Sequence, residues 1–308
     1  MPFRARQRLI LAKMETAYGV DPLPTATDAL LVRNIALTPL DGGTVDRRLV
    51  TPYLGAQTKL QTNVSRKLEF EVDTIGAGAA GTAPVWSRLV KACATSEVIH
   101  SGVSAVYAPT STNFGSITLY HHISGQLAKL LGARGTFSLA LSANAIPVFK
   151  FSFVGLWSPQ SSTSQPSPTY TDLPTPQIVS MANTPVFAMF GQSMVMKSFD
   201  INMGLDVKHR SLVGYDGVEI TDRSVTASLS CEWPQLSVLD PESLAKNGTL
   251  GALQFIHGTT AGNILQIDAP NIQILEPRMS EDEGVMMLQC TLLFQPSSGN
   301  DEIVFTAR

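Results

Sequence analysis

Gly76, Gly78 and Gly81 form a G-x-G-x-x-G pattern between a predicted strand and a predicted helix, with Glu97 roughly twenty residues further on. In dinucleotide-binding folds this spacing lets a pyrophosphate approach the backbone at a helix N-terminus. Here the preceding strand alternates with carboxylates, and the helix is predicted to begin only after the third glycine. The pattern therefore favours a flexible turn, with a nucleotide-binding enzyme as the alternative.

Glu69, Glu71 and Asp73 share one face of that strand, because successive strand residues point to opposite sides. One interpretation is the solvated side of a sheet. A second is a paired-carboxylate hydrolase, which would need an enclosed carboxyl group with a raised pKa. A third is an acidic wall along which a polyanion moves without adhering.

The histidines and cysteines do not have the spacing of a metal site or of a catalytic nucleophile. They are His100, His121, His122, His209 and His257, with Cys93, Cys231 and Cys290. We expect no metal, no cofactor and no enzymatic activity. The three cysteines are predicted to be buried thiols in a reducing compartment.

The chain has 308 residues, of which 44% are hydrophobic and 15% charged, and its formal net charge is −3. This balance excludes a disordered acidic chain and a strongly basic nucleic-acid binder. Apolar runs fall short of the roughly 18 residues that a membrane span needs, and no signal peptide is evident. We expect no contact with a membrane.

Residues 158–177 are rich in Pro and Ser and predict a linker between two domains, at residues 1–157 and 178–308. Residues 1–157 carry a net charge of +6, and residues 158–308 carry −9. Alternating apolar residues at 68–72, 137–141 and 149–153 predict strands in the first domain. A helix over residues 84–95 is predicted to be capped by Thr82 and to pack on the sheet.

The second domain repeats this order of elements. Arg223, Val225 and Pro241 each follow a counterpart by 157 residues, and Asp240 is predicted to cap the second helix. The runs at 284–290 and 303–305 are matched to those at 135–141 and 149–151. We infer a tandem duplication. The predicted fold is mainly β (α+β), with two β-sandwich or barrel domains that each carry one flanking helix and one long hairpin.

Each half also contains a long polar segment, at residues 41–67 and 206–223, which we predict to be an extended hairpin that binds a partner.

Two segments resemble the major tail tube proteins of long-tailed, non-contractile bacteriophages. They are LAKMETAYGVDPLPTATDALLVRN at residues 11–34 and GARGTFSLALSANAIPVFKFSFVGLW at residues 132–157. The resemblance covers residues 9–157. It extends to the second half only through the inferred duplication.

The resemblance implies a structural virion protein whose stacked rings form the tail tube, the conduit for DNA ejection. The arm from Phe3 to Tyr18 and both hairpins would hold adjacent rings together, through Arg47, Arg48, Tyr53, Lys59, Arg66, Lys208, Arg210 and Tyr215. The lumen would be lined by Glu69, Glu71, Asp73, Thr226, Ser228 and Ser230.

Two domains per chain predict a trimeric, pseudo-hexameric ring. The implied partners are further copies of the chain, the tape measure protein and DNA in the lumen without specific binding, the tail terminator and the distal tail proteins. The implied location is the virion tail, with assembly in the host cytoplasm. A two-domain β binding module of the virion surface is the other alternative.

Overall fold

The computed structural model describes residue 4, residues 6–170 and residues 173–308. Strands hold 54% of the chain and helices 5%, which confirms the mainly β prediction. No helix in these described ranges is long and apolar enough to cross a bilayer.

The first half and the connecting segment form ten strands, one α-helix and one 3-10 turn within the described residues. They are β1 (Arg8–Met14), the 3-10 turn (Ala26–Asp28), β2 (Ala29–Leu30), β3 (Arg33–Asp46), β4 (Lys59–Asp73), α1 (Ser87–Lys91), β5 (Thr95–His100), β6 (Ser104–Pro109), β7 (Ile117–Ile123), β8 (Gln126–Ser142), β9 (Val148–Trp157) and β10 (Ser161–Ser162).

The second half forms ten further strands and one α-helix. They are β11 (Val186–Met189), β12 (Gln192–Ser193), β13 (Met196–Asn202), β14 (Leu205–Leu212), β15 (Tyr215–Arg223), β16 (Thr226–Glu232), α2 (Pro241–Asn247), β17 (Leu250–His257), β18 (Leu265–Asp282), β19 (Val285–Gln295) and β20 (Val304–Ala307).

One antiparallel sheet runs through both halves in the order β3-β4-β9-β8-β13-β16-β19-β18. The halves join where β8 pairs with β13, and Ala140 lies opposite Asp200 at this junction. In the described residues, β3 pairs only with β4, and residues 276–282 of β18 pair only with β19. The outer edges of this eight-stranded sheet are therefore free.

A second layer covers one face of the long sheet. Over the first half it comprises β2, β1 and β7 with the beginning of β8. Over the second half it comprises β12, β11 and β17 with the beginning of β18, and β20 links β18 to the β5–β6 hairpin. Because β8 and β18 each belong to both layers, the result is a β-sandwich with its core between the layers.

The core is aromatic and aliphatic. Phe70 lies 5.9 Å from both Phe151 and Phe153, measured between ring centroids, and Phe137 packs edge-on against Phe149 at 5.6 Å. All five rings are buried, as the alternating sequence pattern predicts. The three cysteines are buried and unpaired, which confirms their prediction as core thiols.

The second helix begins as predicted, because Asp240 accepts a hydrogen bond from the Ser243 amide at 3.1 Å. The prediction for the first helix was wrong in both bounds. Thr82 does not cap it; α1 begins after Trp86 and spans five residues. The Trp86 indole donates to the Ile75 carbonyl at 2.8 Å, which fixes the helix start by a tertiary contact. Thr95 already belongs to β5.

The predicted matching of the closing strands was also wrong. β19 pairs with β16 as β9 pairs with β4, so β19 corresponds to β9 and not to the segment after Gly135. Likewise β18 corresponds to β8, whereas β20, which contains Phe305, pairs with β18 and β6 instead of entering the long sheet. The second half has no hairpin in the place of β5–β6, so the predicted spacing of 157 residues between similar elements does not hold after the helices.

Candidate assembly surfaces

The face of the long sheet that points away from the core is polar. Leu68, Phe70 and Val72 are buried, and the carboxylates between them lie on the opposite face, as predicted. Arg33 of β3 reaches two of these acids, at 3.0 Å from Asp73 and 3.4 Å from Glu71. Arg33 therefore neutralises part of the negative charge of these carboxylates. The alternation within β4 alone does not predict this contact, because Arg33 belongs to β3.

Lys150 adds a second positive charge to this face, because it lies directly opposite Glu71 in the β4–β9 pairing. Sequence reasoning missed Lys150 as a site residue, although it alternates with buried Phe149 and Phe151 and must share the polar face. Ser152 donates to Glu69 at 3.3 Å. Acidic, basic and neutral groups thus alternate across the first half of the polar face.

The second half continues the same face with fewer charges. Thr226, Ser228 and Ser230 alternate with buried Ala227 and Leu229 in β16. They lie opposite Asn202, Asp200 and Ser198 of β13. The structure thus brings all six residues predicted for the lumen onto one continuous polar face, and their position in a lumen stays a prediction.

The β3–β4 hairpin extends past the rest of the sheet, because β9 pairs with β4 only from Ser65 onwards. Four residues predicted to bind an adjacent ring lie at its far end and are exposed, namely Arg47, Arg48, Tyr53 and Lys59. Exposed apolar side chains accompany them, including Leu49, Val50 and Leu54. The hairpin end therefore offers both charge and apolar surface to a partner.

Arg66 is not part of that surface. Its side chain is 1% exposed and donates to three backbone carbonyls, at 3.2 Å to Pro39, 2.7 Å to Lys129 and 3.0 Å to Ser158. Burial lowers the pKa of the guanidinium. Arg66 joins the base of the hairpin to β8 and to the start of the connecting segment, which corrects its prediction as a surface contact.

The second hairpin, β14–β15, forms a separate two-stranded sheet that packs on the first half. Of its predicted contact residues, Lys208 pairs with Asp206, the Tyr215 hydroxyl binds Glu219, and Arg210 is exposed. At the base of this hairpin Leu205, Val218 and Ile220 are buried within the chain, whereas Leu212 and Val213 at its end are exposed.

Most of the predicted N-terminal arm is part of the fold. Phe3 lies outside the described residues, but Leu9, Ile10 and Leu11 of β1 are buried. Beyond β1, Glu15 accepts hydrogen bonds from the Gly132 amide and from hydroxyl groups of the first half. From β1 onwards this segment is therefore held in the sandwich, which corrects its prediction as an arm that reaches another ring.

The glycine-rich loop is occupied by the protein itself. The Gly76 amide donates to Asn263 at 2.7 Å, and the Gly78 amide donates to the Gly262 carbonyl at 3.0 Å. A Cβ atom on Gly76 would lie 2.0 Å from the Gly262 oxygen, so the glycine permits close contact between two backbones. Glu97 is bonded to a lysine and a tyrosine. These contacts replace those of a nucleotide.

Comparison with known proteins agrees with the structural interpretation. No curated protein matches the chain. A family model described as phage tail tube protein matches residues 5–298, across both halves and the segment between them. The chain therefore belongs to the phage tail tube protein family, structural proteins of the virion tail that assemble into a tube.

Proposed function

We propose that the chain builds this tube as trimeric rings, in which each chain supplies two adjacent wall units. The observation that carries the proposal is the long sheet, whose two halves share one pairing order, β3-β4-β9-β8 and β13-β16-β19-β18. A tandem duplication accounts for this repeat. Within one chain, β8 of the first half pairs with β13 of the second half. The outer strands β3 and β18 are left to pair with neighbouring chains.

The internal junction supplies the register for the junction between chains. When the two halves of the long sheet are matched residue by residue through their strand pairings, Arg278 of β18 corresponds to Ala140 of β8. Arg33 occupies in β3 the place of Asp200 in β13. Since Ala140 faces Asp200 within the chain, Arg278 of one chain should face Arg33 of the next.

The polar face would line the lumen of such a ring, with Glu69, Glu71 and Asp73 in one unit and Thr226, Ser228 and Ser230 in the next. Carboxylates repel phosphate, so DNA would pass without adhering. The side chains of Arg33 and Lys150 would limit this repulsion. The proposed non-enzymatic role is that of a conduit during DNA ejection.

The same proposal includes the other partners. DNA and the tape measure protein would occupy the lumen, and terminator and distal tail proteins would bind the two ends of the tube. Assembly would take place in the host cytoplasm. We place the inter-ring contacts at the exposed end of the β3–β4 hairpin, with Arg47, Arg48, Tyr53 and Lys59, and keep Lys208, Arg210 and Tyr215 as a second set.

Cysteine pairs test the junction between chains. Paired strands bring opposite Cβ atoms to about 4.5–5.5 Å, and a small local shift closes this to the roughly 3.5–4.5 Å of a disulfide. Oxidised tubes of the Arg33→Cys/Arg278→Cys variant should yield covalent products of two and three chains on a denaturing gel. The control variant Ala140→Cys/Asp200→Cys should yield only an intrachain disulfide.

A mismatched pair, Arg33→Cys/Asp282→Cys, controls for register and should give little product. Electron microscopy of the same samples shows whether tubes with a central channel are present. Tubes in which the Arg33→Cys/Arg278→Cys pair stays reduced would contradict the proposed junction. A wild-type chain that forms neither rings nor tubes would contradict the conduit itself.

A further inference from the structure

The long sheet has two unlike ends. The first hairpin joins β3 to β4 at one end, which we call the hairpin end, and β4 stops at Asp73 at the other. Asp73 faces Val148 beside the β8–β9 turn, and Glu232 at the end of β16 faces Met287 beside the β18–β19 turn. We call this opposite end the turn end. Because strands pair side by side around the proposed ring, stacking brings the hairpin end of one ring against the turn end of the next.

The turn end of the second half has an exposed apolar surface. The Glu232 amide donates to the Val195 carbonyl and the Trp233 amide donates to the Met286 carbonyl, each at 2.9 Å. These bonds bring together the residue before β13, the end of β16 and the start of β19. Five apolar side chains are exposed on these segments and on the loop after β16, namely Val195, Leu236, Val238, Val285 and Met286. Exposed apolar groups of this kind are typical of an interaction surface.

The same surface is acidic. Glu232, Glu281, Asp282 and Glu283 lie in β16, β18 and the β18–β19 turn, beside the exposed apolar side chains. Within the part of the chain that the structure describes, only Asp282 of these four forms an ion pair, with Lys197. Three carboxylates of this described surface are therefore free to meet a cation from outside the chain.

The turn end of the first half does not have this character. Its β8–β9 turn, residues 143–147, consists of Ala, Asn, Ile and Pro and contains no charged residue. Asp73, which ends β4, is already paired with Arg33 at 3.0 Å. The two wall units of one chain therefore present different surfaces at the turn end, one nearly neutral and one acidic.

The first hairpin complements the acidic surface. Residues 47–59 contain no acid, and their charged residues are Arg47, Arg48 and Lys59. Between these cations, Val50 and Leu54 are fully exposed. Gln57 exchanges hydrogen bonds with the backbone of Leu49, which closes the loop and holds these side chains at its end. The hairpin thus presents apolar residues flanked by cations, whereas the acidic turn end presents apolar residues flanked by carboxylates.

The second hairpin differs from the first in charge. Its end, residues 210–216, contains Arg210 and Asp216 and carries no net charge, and Leu212 and Val213 are exposed there. Charge therefore distinguishes the two hairpins, as it distinguishes the two turn ends. The basic hairpin matches the acidic turn end, and the neutral hairpin matches the neutral one.

We propose that the end of the first hairpin binds the acidic turn end of the second half of another chain, in the adjacent ring, and that the second hairpin meets the neutral turn end of a first half. The apolar side chains form the centre of the contact and the opposite charges its rim. This pairing rests on the proposed tube of stacked trimers, to which it adds the receiving surface. It also selects the rotation between rings, because a shift by one wall unit would place the cations opposite a neutral surface.

Charge reversal tests the pairing. Glu281→Lys/Glu283→Lys should leave rings intact but raise the protein concentration needed for tubes at least about tenfold, because like charges would meet. Arg47→Glu/Lys59→Glu should have the same effect, and the two changes combined should restore most of the loss. Arg210→Glu is the control, since it should not rescue Glu281→Lys/Glu283→Lys. Native mass spectrometry detects the rings, and electron microscopy across a concentration series detects the tubes.

Crosslinking identifies which half receives the hairpin. In tubes of the Leu54→Cys/Met286→Cys variant, a short bismaleimide should link chains of successive rings into ladders longer than three chains. The matched variant Leu54→Cys/Ala145→Cys, with its second cysteine at the neutral turn end, should give little product. The native cysteines are buried and should not react.

Ladders from the Leu54→Cys/Ala145→Cys variant, ladders from neither variant, or products that stop at three chains would overturn the pairing. So would a combined charge reversal that restores nothing. The ring itself is tested separately by the Arg33→Cys/Arg278→Cys disulfide. If that disulfide forms while the Leu54→Cys/Met286→Cys link does not, the trimeric ring stands and only the receiving surface fails.

Discussion

Replacing Arg66 with methionine should destabilise the chain itself, before any assembly. Methionine keeps much of the side-chain volume but leaves three carbonyls without their donor, those of Pro39, Lys129 and Ser158. An acceptor that loses its donor costs about 1 kcal/mol where water cannot replace the donor, so the free energy of unfolding should fall by about 1–3 kcal/mol. For a chain of 308 residues that corresponds to a fall in Tm of about 2–5 °C.

The assay is thermal and chemical unfolding of unassembled protein, with Arg47→Met as the matched control. Arg47 lies in the exposed end of the same hairpin, so its replacement should leave the Tm within about 1 °C. If Arg66→Met unfolds at the same temperature as Arg47→Met, the hydrogen bonds of the Arg66 guanidinium do not stabilise the folded chain. That result would favour the original prediction that Arg66 contacts an adjacent ring.

Three further predictions concern assembly, the lumen and pH. Deleting residues 46–60 should preserve the Tm but prevent tube formation, as seen by electron microscopy, because the core does not use this segment; long tubes would contradict the role of the hairpin. Changing Glu69, Glu71 and Asp73 to lysine should spare tubes but slow DNA release several-fold in an ejection assay, through added phosphate contacts; unchanged release would remove these residues from the lumen. Burial lowers the pKa of His121 to about 4 from its ordinary 6.5. The unfolded chain therefore binds a proton at His121 more readily than the folded chain, and the free energy of unfolding should fall as the pH drops from 6.5 towards 4. Unfolding measured across this pH range should show a weaker pH dependence for His121→Gln than for the wild type.

Local signals predicted those parts of the structure that local physics decides. The alternation around Phe70 fixed which side chains enter the core, and Asp240 with its following proline defined the start of α2. The start of α2 depends only on residues within its first turn, and the burial around Phe70 depends only on the alternation of side chains along a strand. The polar face followed from the same alternation.

Long-range contacts explain what the sequence did not reveal. The start of α1 depends on a hydrogen bond from Trp86 to Ile75, and the burial of Arg66 depends on carbonyls far away in the chain. The β5–β6 hairpin is bound by the C-terminal strand through pairing of Tyr107 with Phe305. No local pattern marks that hairpin, and the counterparts of the closing strands were therefore misplaced.

The number of chains in one ring decides whether each chain supplies two wall units. Each chain holds two sheet halves in one continuous run, joined where Ala140 faces Asp200. Native mass spectrometry of isolated rings, supported by the symmetry of a tube cross-section at domain resolution, should therefore find three chains and six similar wall units. A ring of six whole chains would contradict the trimeric ring and the two wall units in each chain.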